Sequence, residues 1–250
     1  MRMSKRRVVA TIEGRIASTR LPGKILYPLA GVPMIGQIAQ RVARARRVDE
    51  VVIATTDSPA DQVLVDLGRR LGIRVHCGPV EDISERLHGA AAGADIVVQV
   101  TGDCPLVDPD LVDAAIDLLE RDRADYVSNN LYGCTYPIGF DVRVFTMEAL
   151  LRSMALSHDP IDRVHGSYFI ARRPDLFHHS GWDAPSELRY EGLRLTVDEP
   201  ADYELAVRIY ETLAPTHPHF GVMEVIALIR QHPEWAAINA TVQQKQVEEG

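Results

Sequence analysis

Cysteine is scarce in this sequence. Cys77, Cys104 and Cys134 make an odd number with no Cys-x-x-Cys pair, which argues against a disulfide framework or a zinc knuckle. Long apolar runs are missing too, and none reaches the ~18 residues of a membrane span. After the basic start Met1 to Arg7, only Val8 to Ile12 is apolar, shorter than the ~7–15 residues of a signal-peptide core. The expectation is a cytoplasmic protein that meets no membrane. Excess positive charge is absent as well: the formal net charge is −8, which argues against nucleic acid as a partner. Neither Gly-x-x-x-x-Gly-Lys-Ser/Thr nor Gly-x-Gly-x-x-Gly occurs, so the two best-known glycine-rich phosphate loops are excluded. There is no internal repeat and no low-complexity tract.

What remains is an ordinary globular composition, 46% hydrophobic and 25% charged over 250 residues, enough for one α/β domain with a substantial core. Apolar stretches at Val8 to Ile12, Val51 to Thr55, Ile73 to Cys77, Asp95 to Val100 and Asp125 to Ser128 read as strands. Between them lie helical patterns at Pro33 to Arg47, Asp57 to Leu71, Asp82 to Ala92 and Asp108 to Glu120. Alternation of this kind predicts βαβ units and a mostly parallel sheet flanked by helices. Residues 129–192 break the rhythm. There Phe140 to Phe145 alternates like a half-exposed strand, Thr146 to Met154 and Pro160 to Arg172 look helical, and a strand lies about Phe177 to Ser180. The chain then returns to a buried strand, Leu193 to Val197, and to helices Pro200 to Leu213 and Val222 to Arg230. The organisation read from this is a single domain, 1–235, with an irregular lobe at 129–192 for an acceptor or a dimer contact. A polar tail, 236–250, frays from residue 240.

Three segments carry the chemistry. Gly14 to Lys24 follows the first strand with three cations, Arg15, Arg20 and Lys24, two hydroxyls, Ser18 and Thr19, and two glycines. Ligands bind at the carboxyl ends of parallel strands, and cations with exposed N–H groups suit a triphosphate; on chemistry alone a solvated basic loop accounts for the segment equally well. Gly102-Asp103-Cys104-Pro105 follows the Asp95 to Val100 strand, and Val197-Asp198-Glu199-Pro200-Ala201-Asp202 follows the Leu193 to Val197 strand. Either aspartate alone reads as a cap; together, at one sheet edge, they fit a hard divalent cation beside phosphates. Asp202 either points the same way or favours the helix dipole. Cys104 reads as a structural thiol, and the His178-His179 and His217-Pro218-His219 clusters lack metal spacing.

The loop Arg15-x-x-Ser18-Thr19-Arg20-Leu21-Pro22-Gly23-Lys24, followed by Gly31-x-Pro33-Met34-Ile35, resembles the signature of the sugar-acid cytidylyltransferases. Gly102-Asp103-x-Pro105 and Val197-Asp198-x-Pro200-x-Asp202 match two further motifs of that family, in order. Thr101 to Asp108, Asp125 to Asn129 and Tyr136-Pro137-x-Gly139-x-Asp141-Val142 are similar to its spore-coat polysaccharide branch. The resemblance spans about Val8 to Leu213. It implies a Rossmann-like nucleotidyltransferase fold, CTP as donor, pyrophosphate as leaving group and a homodimer built through the irregular lobe. Arg15, Lys24, Asp103 and Asp198 would be catalytic, with Mg²⁺ on Asp103 and Asp198. Ile12, Gly14, Arg15, Ser18, Thr19, Arg20, Lys24, Ser84, Arg86 and Thr101 would bind the nucleotide. Tyr136, Asp141, Arg163 and His165 would meet a small anionic acceptor. Ser84-Glu85-Arg86, Thr101, Arg163-Val164-His165 and Glu13-Gly14 depart from the family's commoner residues, which bears on the acceptor and the base more than on the phosphate chemistry.

The function so expected is transfer of CMP from CTP to a sugar acid or related anion, for cell-surface glycan or related biosynthesis. Two rivals stand beside it. One is a nucleotidyltransferase with another triphosphate and a phosphate or phosphonate acceptor. The other is a glycosyltransferase, for which Asp108-Pro109-Asp110 has the Asp-x-Asp spacing.

Overall fold

The computed structural model describes residues 5–243. β1 (Val8–Glu13) leads through a loop and a 3-10 turn (Lys24–Leu26) into a small hairpin, β2 (Pro28–Leu29) and β3 (Val32–Pro33). Helices and strands then alternate: α1 (Met34–Val42), β4 (Glu50–Thr56), α2 (Gln62–Leu71), β5 (Arg74–Gly78), α3 (Ile83–Ala90), β6 (Ile96–Thr101), α4 (Pro109–Asp122) and β7 (Tyr126–Ser128). The remainder is β8 (Arg143–Thr146), α5 (Met147–Leu156), the short helices α6 (Pro160–Val164) and α7 (Tyr168–Ala171), β9 (His179–Gly181), α8 (Pro200–Leu213) and α9 (Val222–Gln231).

Seven strands form one sheet in the order β5-β4-β1-β6-β8-β7-β9. Every pairing in it is parallel except those of β8 with β6 and β7. Apolar side chains cover both faces, as buried parallel strands demand. On one face Ile12, Val98 and Val144 pack with Ile38, Ile116, Leu205 and Ile226. On the other, Val9, Val97, Tyr126 and Phe145 pack with Leu87, Leu150, Phe169 and Ile170. The chain leaves β1 for β4 on one side and later returns to pair β6 on the other. That reversal opens a crevice between the carboxyl ends of β1 and β6, where open α/β sheets take ligands.

Local signals set the helix ends. Asp108 accepts from Asp110 N at 2.8 Å, Thr146 from Ala149 N at 3.0 Å and Asp82 from Glu85 N at 2.8 Å, the expected work of N-caps. Gly72 ends α2 in the left-handed region, φ 69°.

Four expectations need correction. The Phe140–Phe145 stretch is not half-exposed: Phe140, Val142, Val144 and Phe145 are buried, and β8 lies between two paired neighbours rather than at an edge. The Pro160 to Arg172 helix is broken between α6 and α7, where Gly166 turns at φ 59° and a Cβ would stand 2.6 Å from Gln99 Nε2. Leu193 to Val197 is buried but, among the described residues, joins no sheet and makes an isolated bridge, Ile138 to Arg194. The tail does not begin at 236, because Asn239 is buried and its amide donates to Asp202 Oδ1 at 2.7 Å and to Arg194 O at 3.0 Å; residues 244–250 lie outside the described residues.

Candidate active site

A cleft of about 390 Å³ opens at the crevice between β1 and β6. Gly14, Arg15, Ser18, Thr19, Arg20 and Lys24 line it from the loop after β1, and Thr101, Gly102 and Asp103 from the turn after β6. The first loop is held from below. Asp61, buried, accepts from Ile16 N at 2.7 Å, and Gly23 N reaches Ile16 O at 3.1 Å. Gly23 has φ 70°, a backbone angle that glycine adopts without strain. The two loops touch: Gly102 N donates to Glu13 O at 2.7 Å, and a Cβ on Gly102 would lie 2.5 Å from that oxygen.

Lys24 sits at the centre. Its ammonium donates to Asp198 Oδ1 and to Val197 O, both at 2.7 Å, and stands 3.8 Å from Asp103 Oδ2. The two carboxylates expected from separate segments therefore converge on one cation. Arg20 adds a contact to Asp198 at 3.0 Å. Backbone joins the segments as well, because Val197 N donates to Asp103 O at 2.8 Å. Behind Asp198 lies a second layer: Arg194 pairs with Asp198 and, at 3.1 Å, with Asp202, which accepts from Asp198 N at 2.9 Å. Burial would raise the Asp198 carboxyl, but Lys24, Arg20 and Arg194 outweigh it and hold the group below the usual aspartate range. Asp103 is more open, its side chain 29% exposed against 8% for Asp198, and it accepts from Thr101 Oγ1 at 2.6 Å.

Among the described residues no group of three or more His, Cys, Asp or Glu side chains forms a self-sufficient metal cage. A pair of carboxylates around a cation is instead what a magnesium ion needs when waters and phosphate oxygens complete its shell.

A family model for cytidylyltransferases matches residues 9–214. The chain belongs to the cytidylyltransferase family. It is 30% identical over 238 residues to a spore coat polysaccharide biosynthesis protein of Bacillus subtilis, covering 92% of this chain and 96% of that one. A 3-deoxy-manno-octulosonate cytidylyltransferase of Geobacter sulfurreducens is 42% identical over 121 residues, 47% of each chain. Among solved structures, a cytidylyltransferase from Leptospira borgpetersenii superposes with a TM-score of 0.83 at 25% identity, covering 98% of this chain and 100% of the other.

In this cytidylyltransferase the residues predicted from sequence divide into two sets. Gly14, Arg15, Ser18, Thr19, Arg20, Lys24, Arg86, Thr101, Asp103 and His165 all line the cleft, and Asp198 joins them through Lys24. Arg86 Nε and His165 Nε2 are buried without a partner among the described residues; such atoms call for one. Five others are engaged elsewhere. Ile12 is fully buried in the core, so its side chain cannot meet a nucleotide. Ser84 is buried with its hydroxyl donating to Gly166 O at 3.1 Å. Tyr136 packs into the core on the α4 face and accepts from Trp182 Nε1 at 3.1 Å. Arg163 is committed to Asp82 at 2.8 Å and to Met154 O at 3.1 Å. Asp141 is held in its loop by Asn130 Nδ2 at 3.0 Å and Gly139 N at 3.3 Å. Asp108, of the Asp-x-Asp rival, is a buried N-cap that also accepts from Val222 N at 2.7 Å, so it offers no metal site.

Sequence reasoning missed Glu13 and Gln99 as parts of the site. Glu13 lines the cleft and accepts from Gln99 Nε2 at 2.6 Å. Burial raises its carboxyl above the usual glutamate range, with Gln99, Arg86 and Arg143 offsetting part of the rise. The available signal was an acid as the last residue of an apolar strand, which reads equally well as a solvated strand end.

Proposed function

We propose that this chain transfers CMP from CTP to a small anionic sugar acid, releasing pyrophosphate, with Mg²⁺ held by Asp103 and Asp198. The observation that carries the reading is the convergence of Asp103 and Asp198 on Lys24, beside Arg20 and the exposed Arg15, at the crevice between β1 and β6. Membership of the cytidylyltransferase family supports CTP as donor, and the Geobacter sulfurreducens relative's name supports a sugar acid as acceptor.

In this reading the acceptor oxygen attacks the α-phosphorus in line as the bond to pyrophosphate breaks. Arg15, Arg20 and Lys24 hold the β- and γ-phosphates and stabilise the charge that develops on the leaving group; phosphoryl transfer asks a protein chiefly for positioning and charge. Asp103 and Asp198 hold the metal, which when bound neutralises charge on the phosphate oxygens. Arg194 and Asp202 fix the direction of Asp198. We also propose a homodimer formed through residues 129–192, which expose Tyr132, Leu151 and Leu156; apolar side chains left in water mark contact surfaces when they cluster.

The test is pyrophosphate release and product mass after incubation with each of the four triphosphates, Mg²⁺ and a panel of sugar acids. A CMP adduct formed with CTP alone is the expected outcome. Equal turnover of ATP or GTP overturns the choice of CTP, and absence of any nucleotidyl adduct overturns the reaction class.

A further inference from the structure

The two carboxylates proposed to share the metal are carried by backbones held in different ways. Asp103 follows β6, an interior strand paired with β1 and β8. Asp198 follows Leu193 to Val197, which among the described residues has no sheet ladder. That segment is tied at separate points instead. Leu195 N donates to Ile138 O at 2.7 Å and Val197 N to Asp103 O at 2.8 Å. A further tie comes from far along the chain, where Asn239 Nδ2 donates to Arg194 O at 3.0 Å. The same nitrogen donates to Asp202 Oδ1 at 2.7 Å. A carbonyl and a carboxylate can only accept, so both N–H groups of the amide are spent on the layer behind Asp198. Asp202 relays the contact forward. Its side chain is wholly buried, and a buried anion is costly unless its oxygens are filled. Oδ1 takes Asn239 and, at 3.1 Å, Arg194; Oδ2 takes the amides of Asp198 and Glu199, at 2.9 and 3.0 Å. Arg194 in turn pairs with Asp198 itself. Asn239 is placed by the 3-10 turn Pro233–Ala237 before it. There Trp235 packs against the core, stacks on His232 with ring centroids 4.7 Å apart, and has the Arg208 guanidinium of α8 over its ring at 5.9 Å. Residue 239 lies beyond residue 214, where the match to the family model ends.

We infer that Asn239 is a positioning residue for the metal site: through Asp202 and Arg194 it holds Asp198 in the direction that receives Mg²⁺, and so couples the C-terminal turn to the Mg²⁺ requirement for CTP. The inference rests on the proposed metal role of Asp198 and deepens it. Loss of the amide leaves Asp202 Oδ1 to Arg194 alone, which draws the guanidinium away from Asp198 and loosens the Leu193 to Val197 backbone. Asp198 then turns further onto Lys24 and Arg20, the cations that compete with a metal for it. Removing a partner that orients a ligating carboxylate changes metal affinity by about 10–100-fold. The phosphate contacts offered by the loop after β1 stay as they are, because Asn239 touches none of that loop's side chains.

The experiment titrates CTP by calorimetry into the wild-type chain, Asn239→Ala and Asn239→Asp, first in EDTA and then at graded Mg²⁺. Leu150→Ala, a core change on the opposite sheet face, serves as a variant destabilised away from the site, and thermal melting places all four proteins on one scale. Amide exchange of the metal-free and nucleotide-free proteins is followed on peptides covering residues 193–203. Expected are CTP affinities in EDTA within about twofold of one another, and a half-maximal Mg²⁺ concentration raised about tenfold or more in Asn239→Ala. The rise is larger in Asn239→Asp, which keeps the shape but sets a carboxylate against Asp202. Exchange at residues 193–203 quickens relative to β1 in both Asn239 variants, while Leu150→Ala melts lower yet keeps the wild-type Mg²⁺ requirement. A Mg²⁺ requirement in Asn239→Ala within about twofold of wild type overturns the inference, whatever its melting temperature. So does a rise that Leu150→Ala shares, or unchanged exchange at residues 193–203; in each of these the nucleotidyl-transfer reading survives. If Asn239→Ala does not fold, Asn239→Ser, which keeps one donor, is read by the same criteria. Wild-type CTP affinity that ignores Mg²⁺ overturns the metal role of Asp198 together with this inference.

Discussion

Asp103 and Asp198 occupy equivalent places in the motif reading but differ in environment. Asp198 is buried and faces Lys24, Arg20 and Arg194, whereas Asp103 is more open and meets Lys24 only at 3.8 Å. Removing one partner of a buried charge cluster strands the others, at roughly 3–5 kcal/mol. Asp198→Asn should therefore lower the melting temperature by several degrees as well as abolish turnover, while Asp103→Asn should lose most turnover with a near-native melt. Equal melting temperatures for the two variants would show that the cations behind Asp198 relax into water without penalty. Glu13 gives a prediction of opposite sign. Its folded pKa lies above the unfolded one because burial favours the neutral form, so the folded state keeps that proton longer. Stability contributed by the neutral carboxyl is complete at pH below the ordinary glutamate range and falls as pH rises through the raised value. Glu13→Gln should flatten that fall and melt higher than wild type at pH 8. Parallel melting profiles from pH 4.5 to 8 would sink the idea.

At the scale of elements, the site depends on two loops packed backbone to backbone. Gly102 has no room for a side chain because Glu13 O would stand 2.5 Å from a Cβ, and backbone cannot swing aside. Gly102→Ala should push the Asp103 turn away from β1 and cut kcat at least tenfold, about 1.4 kcal/mol of barrier; unchanged kinetics would mean that the loops need not touch. Elements that announce themselves locally were legible in the sequence. β1, β4 and β6 are short apolar runs between turn residues, and α2 stops at Gly72, as glycine permits. Elements defined by remote partners were not. Leu193 to Val197 is as apolar as a strand, but its neighbour is the Ile138 loop and the Asp103 backbone rather than a sheet. Phe140-Asp141-Val142-Arg143-Val144-Phe145 alternates as a half-exposed strand would, yet its apolar members are all buried and β8 is paired on both edges, so the alternation does not mark a solvent face. The loop cations and both aspartates were legible as a group because each segment follows an apolar stretch, and the structure brings Arg20, Lys24, Asp103 and Asp198 together. Glu13 and Gln99 were hidden, since their roles come from a register between β1 and β6 that no single segment states.

For the whole molecule, the proposed dimer predicts a mass by light scattering of about twice 27.7 kDa; a monomer at micromolar concentration would leave Tyr132, Leu151 and Leu156 as ordinary surface. The antiparallel strand has a consequence in time. β7 is made before β8, yet β7 pairs with no strand that precedes it: β8 lies between it and β6. During synthesis the edge of β6 therefore stays open until residues 143–146 emerge, and an unpaired strand edge invites pairing with another chain. A fragment ending at residue 135 should aggregate, whereas one extended through α5 should be markedly more soluble; equal solubility would count against this order of assembly. Late pairing of this kind slows folding, since distant segments must meet before any contact rewards them. The strand that closes the sheet therefore settles two edges at once: when β8 pairs, β6 loses its open side and β7 gains its first neighbour.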